Sequence, residues 1–194
     1  MKLSIAEDGI AVVTLASPPM NAMDAALLEK LANLFEGLAA DRTVRAAVIA
    51  ADGPAFSAGL NLKTTPGLDR LGQRRLVDAL NDGFGTLYGW PKPLVAAVNG
   101  HAIAGGLILA LCADWRIVAD VSLQISLAEV RVGVTYPVAP LSIARASRTS
   151  AGTRASTMAS ASAVAASTVS PSRTSRRAAD GESSARAMES GATG

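Results

Sequence analysis

The chain has 194 residues, of which 49% are hydrophobic, and a formal net charge of +2 at pH 7. A chain of this length and apolar content can bury a sizeable core, which excludes a protein that is disordered throughout. Cys112 is its single cysteine, so an internal disulfide is excluded and we expect a buried, inert thiol. No apolar stretch reaches the roughly 18 residues of a membrane-spanning helix. Glu7 and Asp8 also interrupt the N-terminal segment, so we expect a cytoplasmic protein without a membrane partner.

Two parts of different composition meet near residue 146. Both Trp, both Tyr and all Phe precede that point, whereas residues 147–194 consist mostly of Ser, Ala, Thr, Arg and Gly. Six Arg and three acidic residues give the second part a charge of +3, so the first part carries −1. Because a segment without aromatic residues buries too little apolar surface to offset chain entropy, we expect a disordered or weakly helical tail. A basic tail also suggests nucleic-acid binding, but it lacks aromatic side chains for stacking, and we favour a solvated tail.

Strands and helices alternate in the first part. The stretch KLSIAEDGIAVVTL (2–15) predicts a hairpin, because apolar positions alternate on both sides of a Glu-Asp-Gly turn. After Pro18-Pro19, Asp24 is placed to cap an amphipathic helix, and a strand follows at 44–50. A second amphipathic helix ends before the prolines of 90–93, and a short apolar strand is predicted at 94–100. The apolar positions of the two helices are Leu27, Leu31, Leu34, Phe35 and Leu38, and then Leu68, Leu71, Leu76, Leu80, Phe84 and Leu87.

Small residues follow two of the predicted strands, in AFSAGLNLK (55–63) and HAIAGG (101–106). Glycine and alanine let other groups approach the main chain, so such loops can offer peptide N–H donors to a ligand. The N–H groups of Leu60 and Gly105 could converge there, the second at a helix N-terminus, and two such donors stabilise a carbonyl oxygen that becomes an enolate. The glycines have a second interpretation, which is close packing of a helix on a strand.

Two long segments, AAVIAADGPAFSAGLNLK and KPLVAAVNGHAIAGGLILALCADWRIVAD, resemble the signature segments of the crotonase family, the enoyl-CoA hydratase/isomerase superfamily. The resemblance runs from the hairpin through SPPMNAMD to about SLAEVRVGVTYPVAPLSIARA, which is roughly the first 146 residues. It implies an α/β fold, a spiral of ββα repeats, and assembly as a homotrimer or hexamer. It also implies an acyl-CoA thioester as substrate, with coenzyme A as part of that substrate, no separate cofactor and no metal.

The resemblance assigns roles to individual residues. The N–H groups of Leu60 and Gly105 would hold the thioester oxygen, and Glu129, in LAEVRVG, would be the catalytic carboxylate. Family hydratases carry a further Glu three residues after the second glycine donor, where this chain has Ile108. The residues expected to lie along coenzyme A are Ala58, Gly59, Leu60, Asn61 and Leu62, together with Gly105.

The missing carboxylate separates the possible reactions. Hydration of a conjugated double bond needs an activated water and a proton delivered to the α-carbon, work that paired carboxylates share. Moving a double bond from the 3,4 to the 2,3 position needs one base, which Glu129 provides, and AFSAGLNL resembles the Δ3,Δ2-enoyl-CoA isomerase branch. We therefore expect an isomerase. The alternatives are a hydratase and a catalytically incomplete acyl-CoA-binding protein.

Residues 147–194 do not resemble the C-terminal helices of family members. We therefore predict a crotonase-like core at 1–146, shortened relative to the family, followed by a low-complexity tail at 147–194. An abrupt change to a Ser/Ala/Arg composition is what a reading-frame shift in a GC-rich gene would produce, a hypothesis that resequencing of the gene tests.

Overall fold

The structure is a computed structural model that describes the fold of residues 1–127 and 137–154, and side chains as far as residue 146. All side chains discussed below belong to one compact unit. The strands are β1 (Lys2–Ile5), β2 (Ile10–Leu15), β3 (Ala46–Ala51), β4 (Ala55–Ser57), β5 (Leu94–Val98), β6 (His101–Ile103), β7 (Trp115–Val118) and β8 (Ile125–Ser126). The helices are α1 (Ala25–Ala40), α2 (Arg70–Tyr88), α3 (Gly105–Cys112) and α4 (Val138–Arg154), with a short 3-10 turn at Thr65–Gly67.

The larger sheet has the order β1-β2-β3-β5-β7. The predicted hairpin is confirmed, because β1 pairs antiparallel with β2, whereas β2, β3, β5 and β7 run parallel to one another. Val13 lies beside Ile49, and Ile49 beside Ala96, in one register row. These three residues are buried, and the alternate positions of the same strands are only partly covered. One face of this sheet therefore forms the core.

Helices α1 and α2 begin where acidic side chains cap them. Asp24 accepts a hydrogen bond from the Leu27 N–H at 2.8 Å, and Asp69 accepts one from the Gly72 N–H at 2.7 Å. Leu71 does not face the core as its spacing predicts but is 76% exposed, because it lies in the first turn of α2. The remaining apolar stripe packs as expected, with Leu76, Leu80, Phe84 and Leu87 all buried.

A second, smaller sheet includes two segments that the sequence indicated as loops, 55–57 and 101–103. Strands β4, β6 and β8 run parallel in that order, with Ser57 beside Ala102 and Ala102 beside Ile125. Because the strands are parallel, the chain leaves β4 and β6 at the same edge of the sheet. This edge brings the two small-residue loops side by side.

Three predictions about the whole chain have different outcomes. The α/β class is confirmed by the two sheets and their helices. Helix α4 continues to Arg154 across the boundary predicted at residue 146, and the division into core and tail stays a prediction, since most of 147–194 lies outside the described residues. None of the helices within the described ranges is long and apolar enough to span a bilayer.

Candidate active site

The loop after β4 is bound to the segment that precedes α1. The Met23 N–H donates to the Gly59 carbonyl, and the Asn61 N–H donates to the Met23 carbonyl, each at 2.8 Å. Leu60 is therefore the central residue of a parallel bridge, and its own N–H points away from Met23. Among the residues that the structure describes, none accepts a hydrogen bond from the Leu60 amide.

Gly59 lets the two loops approach one another. Its φ is +82°, a conformation that favours glycine, and a Cβ there would lie 2.9 Å from the Ile103 carbonyl oxygen and 3.1 Å from the Gly105 nitrogen. No side chain fits at this distance from backbone atoms. The peptide that carries the Leu60 N–H thus lies next to the start of α3.

The second loop presents the first amide of α3. The Leu107 and Ile108 N–H groups donate to the Ala104 carbonyl at 2.9 and 3.2 Å, whereas the Gly105 N–H has no acceptor within the described part of the chain. First-turn amides lack partners within a helix, and the helix dipole makes this end positive. Ala104, the N-cap residue, has φ of +53°, a strained conformation for a residue with a Cβ. Its N–H donates to the Ser126 carbonyl at 2.7 Å.

The packing interpretation of the glycines also applies here. A Cβ at Gly106 would overlap the Ser57 carbonyl group and come within 2.9 Å of the Ser57 Cβ, so this glycine is required for α3 to pack on β4. A Cβ at Gly105 would meet chiefly the flexible end of Met23, at 2.9 Å from its Cε. Gly106 therefore serves packing, while Gly105 has both a packing role and an amide without a described acceptor.

The remaining predicted site residues differ in what surrounds them. Ile108 is fully buried and contributes no polar group. The Asn61 carbonyl accepts hydrogen bonds from the Thr65 N–H at 3.0 Å and the Thr65 hydroxyl at 2.8 Å, which closes the loop. Ala58 is partly buried, and Leu62 is 62% exposed. Glu129 lies outside the described residues.

Shifted pKa values lie away from the two loops. The guanidinium of Arg75 donates two hydrogen bonds to Glu29, each at 2.7 Å, and lowers the pKa of that carboxyl. Burial raises the pKa of the Cys112 thiol far above its usual range, as expected for an inert cysteine. Within the described ranges no cluster of His, Cys, Asp and Glu could hold a metal ion. The polar groups without a described partner that the two loops bring together are thus the backbone amides of Leu60 and Gly105.

The family model of enoyl-CoA hydratase/isomerase matches residues 6–165. The chain belongs to this family. It is 36% identical over 141 residues to a putative enoyl-CoA hydratase of Thermus thermophilus, covering 71% of this chain and 55% of that protein. It is 33% identical over 131 residues to the mitochondrial enoyl-CoA delta isomerase 1 of Mus musculus, covering 66% of this chain and 45% of that protein.

Solved structures of family members have the same fold. The enoyl-CoA hydratase of Mycobacterium smegmatis superposes with a TM-score of 0.68 at 29% identity, over 75% of this chain and 56% of that one. The crotonase-like fold expected for this chain is thereby confirmed. The chain spans about half the length of the curated relatives that it matches, 52% of a probable enoyl-CoA hydratase of Bacillus subtilis for example.

Sequence reasoning missed two residues at the edge of this site. Asn21 and Ser57 are the buried polar residues of the described core, 1% and 0% exposed. Only weak features of the sequence could have identified these two residues. Asn21 lies two residues after Pro19 and tolerates its φ of +50°, and Ser57 is a polar residue beside the buried Phe56.

Proposed function

We propose that this family member binds an acyl-CoA thioester and holds its carbonyl oxygen between the N–H groups of Leu60 and Gly105. One observation carries the proposal: two amides without described acceptors lie on adjoining loops, brought together because Gly59 has no side chain. Two preorganised donors stabilise the negative charge that develops on a thioester oxygen when a proton leaves the neighbouring carbon. The site then favours enolate chemistry.

The reaction that we propose is a shift of the double bond of an enoyl-CoA from the 3,4 to the 2,3 position. Glu129 removes a proton from C2, the electron pair moves onto the thioester oxygen as a dienolate, and the protonated Glu129 returns the proton at C4. No atom is gained or lost. The buried apolar side chain of Ile108 supports a reaction with one carboxylate, since it can neither activate water nor transfer a proton.

Sequence position supports the role of Glu129. The Ser126 carbonyl accepts a hydrogen bond from the Ala104 N–H, next to the Gly105 donor. Glu129 follows Ser126 by three residues in the sequence.

The proposal extends to coenzyme A and to assembly. We place the coenzyme along Ala58–Leu62 as part of the substrate, since this segment carries the Leu60 N–H and leaves Leu62 62% exposed, with no separate cofactor. Assembly into homotrimers or hexamers belongs to the same proposal.

The test is an assay of the full chain with 3-enoyl-CoA and 2-enoyl-CoA. Formation of 2-enoyl-CoA without 3-hydroxyacyl-CoA supports isomerisation. We expect Glu129→Gln to lower kcat by about 100- to 10,000-fold, the usual contribution of a general base. Glu36→Gln is the control, since this carboxylate is exposed on α1. Equal turnover by Glu129→Gln and the native protein would refute the assigned base.

Hydration is the second candidate, because relatives at 32% and 36% identity are named as enoyl-CoA hydratases. Formation of 3-hydroxyacyl-CoA from 2-enoyl-CoA at the rate of isomerisation would favour it. Tight thioester binding without turnover would favour the third candidate, a catalytically incomplete acyl-CoA-binding protein.

A further inference from the structure

A buried serine lies beneath the first donor loop. The Ser57 hydroxyl donates to the Asn21 carbonyl at 2.7 Å and accepts a hydrogen bond from the Gly59 N–H at 3.1 Å. Ser57 is completely buried, and Gly59 is buried beside it. The hydroxyl is thus the described hydrogen-bond partner of the amide that precedes the Leu60 peptide.

Asn21 fixes the other end of this connection. Its side chain accepts a hydrogen bond from the Ser17 N–H and donates to the Asp52 and Ala55 carbonyls, all at 2.8 to 2.9 Å. These bonds hold Asn21 against the end of β3 and the start of β4. Its carbonyl is therefore a rigid acceptor for the Ser57 hydroxyl.

Two hydrogen bonds flank the soft backbone torsions of Gly59. Ser57 Oγ holds its N–H, and the Met23 N–H holds its carbonyl. A glycine without such restraints samples wide ranges of φ and ψ. With both flanking peptides held, the direction of the Leu60 N–H is set.

We propose that Ser57 is a positioning residue for the Leu60 amide, acting through the Gly59 peptide without touching the substrate. The proposal rests on the proposed function, since it assigns a role in holding the thioester oxygen. Without the hydroxyl, the buried Gly59 N–H has no described acceptor, and a buried amide without a partner disfavours this conformation of the Ala58–Gly59 peptide. The Met23 hydrogen bond alone then restrains the Gly59–Leu60 peptide, and the Leu60 N–H is aimed less tightly at the thioester oxygen.

The test compares Ser57→Ala with Cys112→Ala in the full chain. Each substitution removes one buried side-chain heteroatom, Oγ of Ser57 or Sγ of Cys112. The Cys112 Sγ contacts the Phe84 carbonyl oxygen in α2 at 3.6 Å, away from the Gly59 N–H. The control therefore reproduces the loss of packing without the loss of the Gly59 hydrogen bond. Ser57→Cys, which replaces the hydroxyl by a larger thiol that is only a weak acceptor, serves if Ser57→Ala does not unfold cooperatively.

Three measurements are made on each variant: kcat and KM with 3-enoyl-CoA, and the infrared stretching frequency of bound 2-enoyl-CoA labelled with carbon-13 at the thioester carbonyl. Hydrogen bonds to a carbonyl oxygen lower that frequency. For Ser57→Ala we expect kcat to fall about 10- to 100-fold, less than when a donor is removed outright, with KM changed less than about threefold. The carbonyl frequency should move toward that of free thioester, and Ser57→Cys should give intermediate values.

The possible failures are distinguishable. Native kcat and carbonyl frequency in Ser57→Ala, or in Ser57→Cys where that variant replaces it, overturn the role of Ser57 while the proposed function stands. An equal fall of kcat in Cys112→Ala has the same meaning. If the native protein binds the thioester without turnover, the carbonyl frequency alone decides, and if it binds no thioester, both proposals fail.

Discussion

The loops that carry the Leu60 and Gly105 N–H groups orient these two donors in different ways. Leu60 follows a glycine in a left-handed conformation. The distant Met23 N–H donates a hydrogen bond to the carbonyl of that glycine, and the N–H of that glycine donates one to the nearby Ser57 hydroxyl. Gly105 begins a helix, and its orientation follows from the helix and from the strained Ala104 before it. The first donor therefore depends on hydrogen bonds that lead from Gly59 to Met23 and, through Ser57, to Asn21, whereas the second depends on helix α3 and on the residue before it. Substitutions can separate the two.

The largest effect is expected on the helix side. In Gly106→Ala the new Cβ overlaps backbone atoms of Ser57, which cannot move without displacing β4. We expect the free energy of unfolding to fall by about 3 kcal/mol, at the upper end for overpacked sites. Urea unfolding of the variant and of the native protein measures this change in free energy. The matched control is Gly37→Ala in α1, where a Cβ meets nothing within 4 Å, and which should raise the free energy of unfolding by about 0.5 to 1 kcal/mol. Similar losses in both variants would contradict the packing argument.

Gly59→Ala tests the loop after β4. We expect it to reduce stability less than Gly106→Ala does and to affect chiefly the activity. The alanine must adopt φ of +82° and place its Cβ 2.9 Å from the Ile103 carbonyl oxygen, so we expect a loss of about 2 kcal/mol. Because the loops separate, kcat with 3-enoyl-CoA should fall about 100-fold or more. Measurement of kcat with 3-enoyl-CoA together with urea unfolding distinguishes the loss of activity from the loss of stability. A folded Gly59→Ala variant with native kcat would show that the approach of the loops is not needed for turnover.

Ala104→Gly should change the free energy of unfolding least, and should raise it, whereas the substitutions at Gly106 and Gly59 lower it. Glycine relieves the strain of a φ near +53° but increases the entropy of the unfolded chain, and we expect a net rise of about 1 kcal/mol in the free energy of unfolding. Since α3 itself orients Gly105, kcat should change less than about threefold. A large fall of kcat in a stabilised variant would mean that Ala104 strain, and not the helix, directs the second donor.

Periodicity was enough to predict strands β1, β2, β3 and β5 of the larger sheet and helices α1 and α2, because their apolar positions repeat at strand or helix spacing. Helix α3 was indicated by the glycines that precede it, and strand β7 was not predicted. Strands β4, β6 and β8 have only two or three residues, too few for alternation to show, and they were missed. Leu71 was predicted to face the core and is exposed, because its spacing fits the stripe but its position is in the first turn.

The candidate site was predictable only in part. Leu60 and Gly105 follow strands through small residues, a local pattern that the sequence contains. The Ser57 and Asn21 contacts join residues 36 apart, and no local pattern indicates them. Glu129 came from family resemblance alone, since one carboxylate in a sequence has no distinguishing signal.

The hydrogen bond from the Ala104 N–H to the Ser126 carbonyl affects the order in which the two N–H donors gain their hydrogen-bond partners during synthesis. The described hydrogen bonds of Gly59, of the Asn61 main chain and of the Ser57 hydroxyl join residues within 21–65, so a growing polypeptide contains these partners early. The Ala104 anchor needs a residue 22 positions further on. During synthesis from the N-terminus, the two donors therefore acquire their supports at different times, and the paired site is the later product.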